Sequence, residues 1–277
     1  MNPEILARFA DSQRFFTCPV CGRPLALQGA SLACRRKHCF DLSKYGYVNL
    51  APKARQSKTY DRQSFENRQT ILEHGFYDHI LDALADLLEH TPKAKTVLDA
   101  GCGEGFYSRR LEKRTGREFL AFDLSRDSIQ LAAKSDEAHR VKWFVGDLTR
   151  LPLKDHSIDC VLDLFTPANY GEFRRLLTPG GCLVKVIPGD NHLAEFRERA
   201  LPLLARREYH SEPVAGYLEQ HFRVVKRRAV SASLPITPGE RDILAAMTPL
   251  LFHVDKSKID WSGLDTVTVA AEILVAK

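Results

Sequence analysis

Four residues near the N-terminus have the spacing of a metal site. Cys18 and Cys21 form a Cys-x2-Cys pair, Cys34 follows after twelve residues, and His38 stands after three more. Two short loops that each present two soft donors can close a tetrahedral Zn²⁺ site. Gly22, after the first pair, suits the tight turn that aims backbone N–H groups at thiolate sulfur. Cys39 competes with His38 for the fourth position. Four protein ligands leave no open position, so the metal is expected to be structural. Arg35, Arg36 and Lys37 sit inside the second loop, and a rigid loop with three cations suits a phosphate backbone. The plainer readings are buried thiols without a metal and a solvated basic surface.

A second constellation spans 96–105, Thr-Val-Leu-Asp-Ala-Gly-Cys-Gly-Glu-Gly. An apolar strand runs into a glycine turn that opens a helix, so the backbone can approach a nucleotide-like ligand. The Gly-x4-Gly-Lys-[Ser/Thr] phosphate loop is absent. Gly101 and Gly103 fill two places of a Gly-x-Gly-x-x-Gly fingerprint, but Phe106 takes the third and disfavours a standard NAD site. The turn resembles motif I of class I S-adenosylmethionine-dependent methyltransferases, with Asp99 ahead of the glycines. The next strand ends at Asp123, whose carboxylate can accept both ribose hydroxyls. A third ends at Asp147, where that family holds the adenine amino group. A sulfonium cofactor carries no phosphate, so carboxylates suit it better than a lysine clamp. Each acid taken alone is also a common strand-end turn or helix cap.

Strands interleaved with helices position these groups. β-like runs cover Val97–Ala100, Phe119–Asp123, Val141–Gly146, Ile158–Phe165 and Cys182–Ile187, with helical segments between them. That alternation implies a parallel sheet with helices on both faces. Two further runs, Phe222–Val230 and Val267–Lys277, suit antiparallel strands at one edge. Before the sheet, Ser64 is expected to cap a helix over Phe65–His74 that Gly75 ends, and a second helix covers about 78–90. The segment 190–217 reads as helical with polar breaks, and 234–265 as irregular. Residues 51–63 read as a polar, basic linker.

The bulk composition fits one large domain with a small one. The 277 residues are 44% hydrophobic and 27% charged. No apolar run approaches the roughly 18–20 residues of a membrane span. The first ten residues lack a signal-peptide layout, so a cytoplasmic location is expected. Four of the seven cysteines lie within 18–39, which fits a metal in a reducing compartment. Net charge is +5, yet residues 1–63 hold eleven Lys and Arg against four acids, so the positive excess is N-terminal. Such a patch suits an anionic partner, nucleic acid foremost. Without a metal, 15–50 looks too small to hold its own core.

The order of these features resembles the RlmA-type 23S rRNA guanine-N1 methyltransferases along nearly the whole chain. The likeness is carried by Phe40-Asp-Leu-Ser-Lys-Tyr-Gly-Tyr-Val-Asn-Leu, Gly75-Phe-Tyr, Gly101–Ser108, Pro188 to Leu193, and Met247-Thr-Pro-Leu-Leu-Phe. It is best to the branch that includes the tylosin-resistance methyltransferase, which modifies guanosine 748 in hairpin 35. A sister branch modifies guanosine 745. The resemblance implies an α/β fold: a class I methyltransferase domain with a mostly parallel, seven-stranded sheet and a small N-terminal zinc module. It divides the chain into 1–50 (zinc and RNA recognition), 51–90 (basic linker and leading helices) and 91–277 (methyltransferase). It implies zinc ligands at Cys18, Cys21, Cys34 and His38, which removes Cys39. It implies cofactor contacts at Tyr77, Tyr107, Ser108 and His192, beside Asp99, Gly101, Gly103, Asp123 and Asp147. From the residues alone, Tyr77 is an aromatic staple and His192 a loop histidine.

The reaction so implied moves a methyl group from S-adenosylmethionine to guanine N1 in 23S rRNA, with an effect on macrolide-type antibiotics. The fourth strand ends in Asp163-Leu-Phe-Thr-Pro-Ala-Asn, where this fold places its acceptor. Phe165 is expected to stack on a flipped base. Asp163 is expected to meet the guanine N1/N2 edge, with a backbone-bonded acid as the plainer reading. No membrane partner is expected, and a homodimer is left open. A zinc-containing methyltransferase of small molecules or proteins, and an RNA-binding protein with a relic cofactor fold, are the competing readings.

Overall fold

The computed structural model describes residues 1–54, 61–204 and 210–277. Parts of the linker expected over 51–63 and of the helical segment 190–217 lie outside the described residues. The chain opens with helix α1 (Pro3–Phe9), and then the short strands β1 (Ala26–Gln28), β2 (Ser31–Ala33), β3 (Cys39–Asp41) and β4 (Tyr47–Asn49). Helices α2 (Arg62–Glu73) and α3 (Asp78–Glu89) lead into β5 (Thr96–Ala100), α4 (Phe106–Thr115), β6 (Glu118–Asp123), α5 (Arg126–Ser135) and β7 (Val141–Val145). Then come β8 (Ile158–Leu164), α6 (Tyr170–Leu176) and β9 (Leu177–Pro188). The chain closes through α7 (Ala194–Ala200), α8 (Glu212–Glu219), β10 (Val224–Pro235), α9 (Pro238–Met247) and β11 (Thr266–Ala276).

The main sheet has the order β10-β11-β9-β8-β5-β6-β7-β4. From β9 to β4 every pairing is parallel, and β11 runs antiparallel to both β9 and β10. Strands β5 and β7 are buried along their whole length. Such strands read as unbroken apolar runs because helices cover both faces.

The strand count differs from the expected seven. Among the described residues the sheet has eight strands, because β4 pairs with β7 through Tyr47↔Trp143, Val48↔Phe144 and Asn49↔Val145. A three-residue strand has too little periodicity to announce itself, and it covers backbone groups that β7 would leave open as an edge. The N-terminal segment also shares its core with the sheet. Phe16 meets Phe144 edge-on at 5.2 Å, and Phe9, Leu25 and Leu32 are buried in the same cluster. The segment 15–50, expected to be too small to hold its own core without a metal, thus shares an apolar core with the sheet.

Two local readings also change. The cap of α2 is Asp61, whose Oδ1 accepts from the Ser64 N–H at 2.9 Å. Within the unplaced 234–265, α9 starts in a capping box in which Thr237 and Glu240 bond each other's backbone. No helix among the described residues is long and apolar enough to cross a membrane.

Candidate functional site

The four expected zinc ligands converge. The donor atoms of Cys18, Cys21, Cys34 and His38 all lie within 4.8 Å of one another. His38 Nδ1 is 3.3 Å from Cys18 Sγ and 3.5 Å from Cys34 Sγ, and the Cys21 and Cys34 sulfurs are 3.7 Å apart. Tetrahedral bonds of Zn–S near 2.3 Å and Zn–N near 2.0 Å set donor atoms roughly 3.5–3.8 Å apart, so the cluster fits zinc. Gly22, at φ 71°, closes the first loop with its N–H on the Cys18 carbonyl. Lys37, at φ 64°, closes the second on the Cys34 carbonyl. Burial opposes the Cys34 thiolate, but the backbone N–H groups of Arg36 and His38, with the Cys21 and Cys18 thiols, bring it down to about 6. Cys39 is exposed and outside the cluster. Arg35, Arg36 and Lys37 are exposed and take part in no ion pair among the described residues.

The glycine turn joins the tips of β5 and β6. The N–H groups of Gly101 and Cys102 both donate to the Phe122 carbonyl. Gly101, Gly103 and Gly105 all have positive φ, at 71°, 57° and 79°. A Cβ on Gly105 would lie 2.4 Å from the Trp143 ring, and one on Gly101 2.6 Å from Thr166 Oγ1. At Gly103 a Cβ would meet only Arg68 and Phe65 side chains, at 3.7 Å or more. Asp123 accepts from Gly103 N–H at 3.0 Å and Ser125 N–H at 2.8 Å, which sets its carboxylate across the turn. Asp99 is buried, and its Oδ2 accepts from Ser108 Oγ at 2.5 Å. Asp147 Oδ1 accepts from the N–H and hydroxyl of Thr149, in an Asx turn.

Charge concentrates at this turn. Burial pushes Asp99 up to about 7 despite the Ser108 bond. It also raises Glu104, against the pull of Arg68, and Asp123, against its two backbone donors. Three carboxylates with raised pKa in one buried place favour a cationic ligand. Arg68 reaches in from α2 to bring Nε within 3.1 Å of Glu104 Oε2. Neither atom, nor the Tyr107 hydroxyl, has a hydrogen-bond partner among the described residues, although all three are buried. A ligand end that carries both an ammonium and a carboxylate would satisfy the set, so the residues fit S-adenosylmethionine. Neither Arg68 nor Glu104 is among the residues that spacing singles out. The one signal in the sequence is the charge of Glu104 inside the glycine motif itself.

Beyond the turn, three rings from distant elements meet. Tyr77, at the start of α3, lies edge-on to Phe165 at 6.1 Å and to His192 at 6.2 Å. Phe165 and His192 stack at 6.2 Å. Phe165 and Leu193 have φ of 57° and 52°, a left-handed strain of the kind stored at functional sites. Burial lowers His192 to about 4, and its Nδ1 accepts from the Ala270 N–H. The ring is neutral at pH 7 and its proton sits on Nε2.

Asp163, expected at the acceptor, is engaged through one oxygen only, and its Oδ1 is buried with no hydrogen-bond partner among the described residues. It is 0% exposed and its Oδ2 lies 2.9 Å from Lys185 Nζ. The two are register partners on β8 and β9, so their side chains share a face. Lys185 also donates to the Thr166 carbonyl at 2.5 Å.

Comparison with known proteins agrees with both halves. Residues 16–58 match the zinc-ribbon family described as the RlmA N-terminal region, and 97–181 match a family described as a methyltransferase domain. A solved S-adenosylmethionine-dependent methyltransferase from Aquifex aeolicus superposes with a TM-score of 0.50 at 18% identity, covering 78% of this chain and 98% of that one. S-adenosylmethionine and a structural zinc are thus the cofactors. A Bacillus subtilis protein assigned by name to the 23S rRNA (guanine-N1)-methyltransferases is 36% identical over 94% of this chain and 96% of its own length. The 23S rRNA (guanine(748)-N1)-methyltransferase of Streptomyces fradiae is 30% identical over 95% and 97%. With full-length relatives at this identity, the chain belongs to the 23S rRNA (guanine-N1)-methyltransferase family.

Proposed function

We propose that this protein methylates guanine N1 in 23S rRNA, at position 748, and thereby affects the response to macrolide-type antibiotics. The supporting observation is the likeness along almost the whole length to the Streptomyces fradiae enzyme named for that position. The exposed cations of the second zinc loop, Arg35, Arg36 and Lys37, add a surface suited to RNA. In this reading 1–50 recognises RNA, 51–90 leads in, and 91–277 performs transfer, with β4 tying the first part to the last.

S-adenosylmethionine supplies an electrophilic methyl group when bound. Asp123 would take the ribose, Asp147 the adenine end, and Gly101 and Gly103 would admit the cofactor's length. Arg68, Glu104 and Tyr107 would hold the amino-acid end. Asp99 acts through Ser108, which it fixes at the first turn of α4. Tyr77 and His192 form one wall, with His192 donating from Nε2.

Guanine N1 carries a proton and is a weak nucleophile, so alignment is the larger task. Phe165 would stack on the extruded base. Lys185 holds the Phe165 turn through the Thr166 carbonyl, and Asp163 holds Lys185. These two are positioning residues. The N1 proton becomes acidic as the bond to carbon forms and leaves to water, so no strong base is needed.

The test is transfer of labelled methyl from S-adenosylmethionine to a bare 23S rRNA transcript beside a protein extract. Label in the transcript supports the reading. Label only in protein would replace it with the protein-acceptor reading.

A further inference from the structure

We propose that the cleft between α6, α8 and the loop after β7 is a base-stacking site for the RNA strand between the zinc loops and the acceptor. It rests on the rRNA reading above. The cleft has a volume of about 400 Å³, in the range of small-ligand sites. Its walls are Leu148, Ala168, Tyr170, Tyr217 and His221, with Thr149 and Asn169 at the side.

Tyr217 is the exposed ring of the walls, and it packs with His221 on the buried Tyr170. Tyr170 lies 5.5 Å from Tyr217 and 5.0 Å from His221, and Tyr217 and His221 lie 4.7 Å apart. Thr149 is bonded to Asp147, and Asn169 to the Leu148 carbonyl and the Glu172 N–H. His221 Nδ1 bonds the Tyr217 carbonyl. Tyr217 is nonetheless 54% exposed, a large ring held out at the mouth of the cleft. A flat, polar-edged ring suits such a surface, and a nucleobase stacks there regardless of sequence. None of the lining side chains named is charged, yet exposed Arg150 follows Thr149. Exposed Arg174 donates to the His221 carbonyl. Cations beside aromatic faces are the composition of a single-strand track.

The position of the cleft selects RNA over other occupants. One wall belongs to the loop that holds the zinc module: Thr17 N–H donates to the Pro152 carbonyl at 2.8 Å, and Phe16 bridges to Leu153. The other wall continues the turn that carries Phe165, since Ala168 is three residues on, roughly 10 Å at full extension. A strand held by Arg35–Lys37 and delivering its base to Phe165 would pass over the cleft.

The test uses the full-length zinc-loaded enzyme and a hairpin transcript containing position 748. Tyr217→Ala should raise the hairpin Kd about tenfold, one stacked base lost. Tyr217→Phe should restore it, and cofactor affinity should stay at the wild-type value in both. A Tyr217→Ala variant with wild-type Kd and kcat/KM would overturn the site while leaving the rRNA reading intact. So would a Phe variant as weak as Ala, since the hydroxyl and not the ring face would then matter. A change in sedimentation with unchanged RNA binding would make the cleft a protein contact and overturn it too. A wild-type enzyme inert on the transcript would remove the parent reading and this site together.

Discussion

Lys185 Nζ bridges two acceptors, the buried Asp163 carboxylate at 2.9 Å and the Thr166 carbonyl at 2.5 Å. One ammonium thus ties the β8–β9 pair to the turn that presents Phe165. Removing one partner of a buried pair costs about 3–5 kcal/mol, because the other charge stays buried and unpaired. Lys185→Met should destabilise by that order in urea unfolding. The double variant Asp163→Leu, Lys185→Met should recover most of the stability but not the turnover, because the Thr166 carbonyl stays unbonded. Cofactor affinity, read by calorimetry, should hold within about threefold. Turnover restored along with stability would remove the positioning role.

Asp99 sets a pH dependence. Its folded pKa, about 7, lies above its ordinary value of 3.8, because burial disfavours the charged form. The folded state therefore binds the proton more tightly than the unfolded state between those values. The contribution is fully present below about pH 4 and is lost as pH rises through 7, on the order of 4 kcal/mol. Asp99→Asn keeps an acceptor for Ser108 and removes the titration. Its stability should fall less steeply than wild type from pH 5.5 to 8. Parallel curves would contradict the shift.

The glycines should separate by packing. Gly105→Ala drives a methyl to 2.4 Å from Trp143 and adds left-handed strain, so it should destabilise by about 2–4 kcal/mol. Gly103→Ala adds the strain, about 1–2 kcal/mol, without the clash. It should stay folded and lose cofactor affinity tenfold or more. Thermal melts with cofactor calorimetry check both. An unfolded Gly103 variant, or one with wild-type affinity, would contradict the turn's assignment.

Zinc should stabilise both halves. Because β4 lies in the main sheet and Phe16 packs on Phe144, metal removal should lower one shared transition rather than melt the module alone. Purified protein should hold about one zinc per chain, and Cys18→Ser should lose it. Scanning calorimetry with and without chelator reads the transition. Two independent melts would contradict the coupling.

What the sequence carried was local. Cys18-x2-Cys21 and the loop from Cys34 to His38 are each tight and local, so spacing finds three ligands, and the family resemblance is needed to choose His38 over Cys39. Gly101, Gly103 and Gly105 were legible because a left-handed turn at a strand end favours glycine. Strand-end acids were legible as a set, but their partners were not. Asp163 reads as a strand-end acid, but its Lys185 partner comes from the pairing of β8 with β9 and is not announced by spacing. Arg68 comes from a helix whose own pattern says nothing of the turn it meets. Strand β4 and the cleft at Tyr217 likewise arise from long-range packing, which periodicity does not encode.

The central claim is N1 methylation of one guanine in 23S rRNA. Methylation at N1 blocks Watson–Crick pairing, so it stops reverse transcription at the modified base. Primer extension on 23S rRNA from cells with and without this gene reads it directly. The account predicts a stop at guanosine 748 that disappears when the gene is deleted and returns with the wild-type gene. A stop at 745 alone would move the target within the family. Identical extension patterns across both strains would contradict the account.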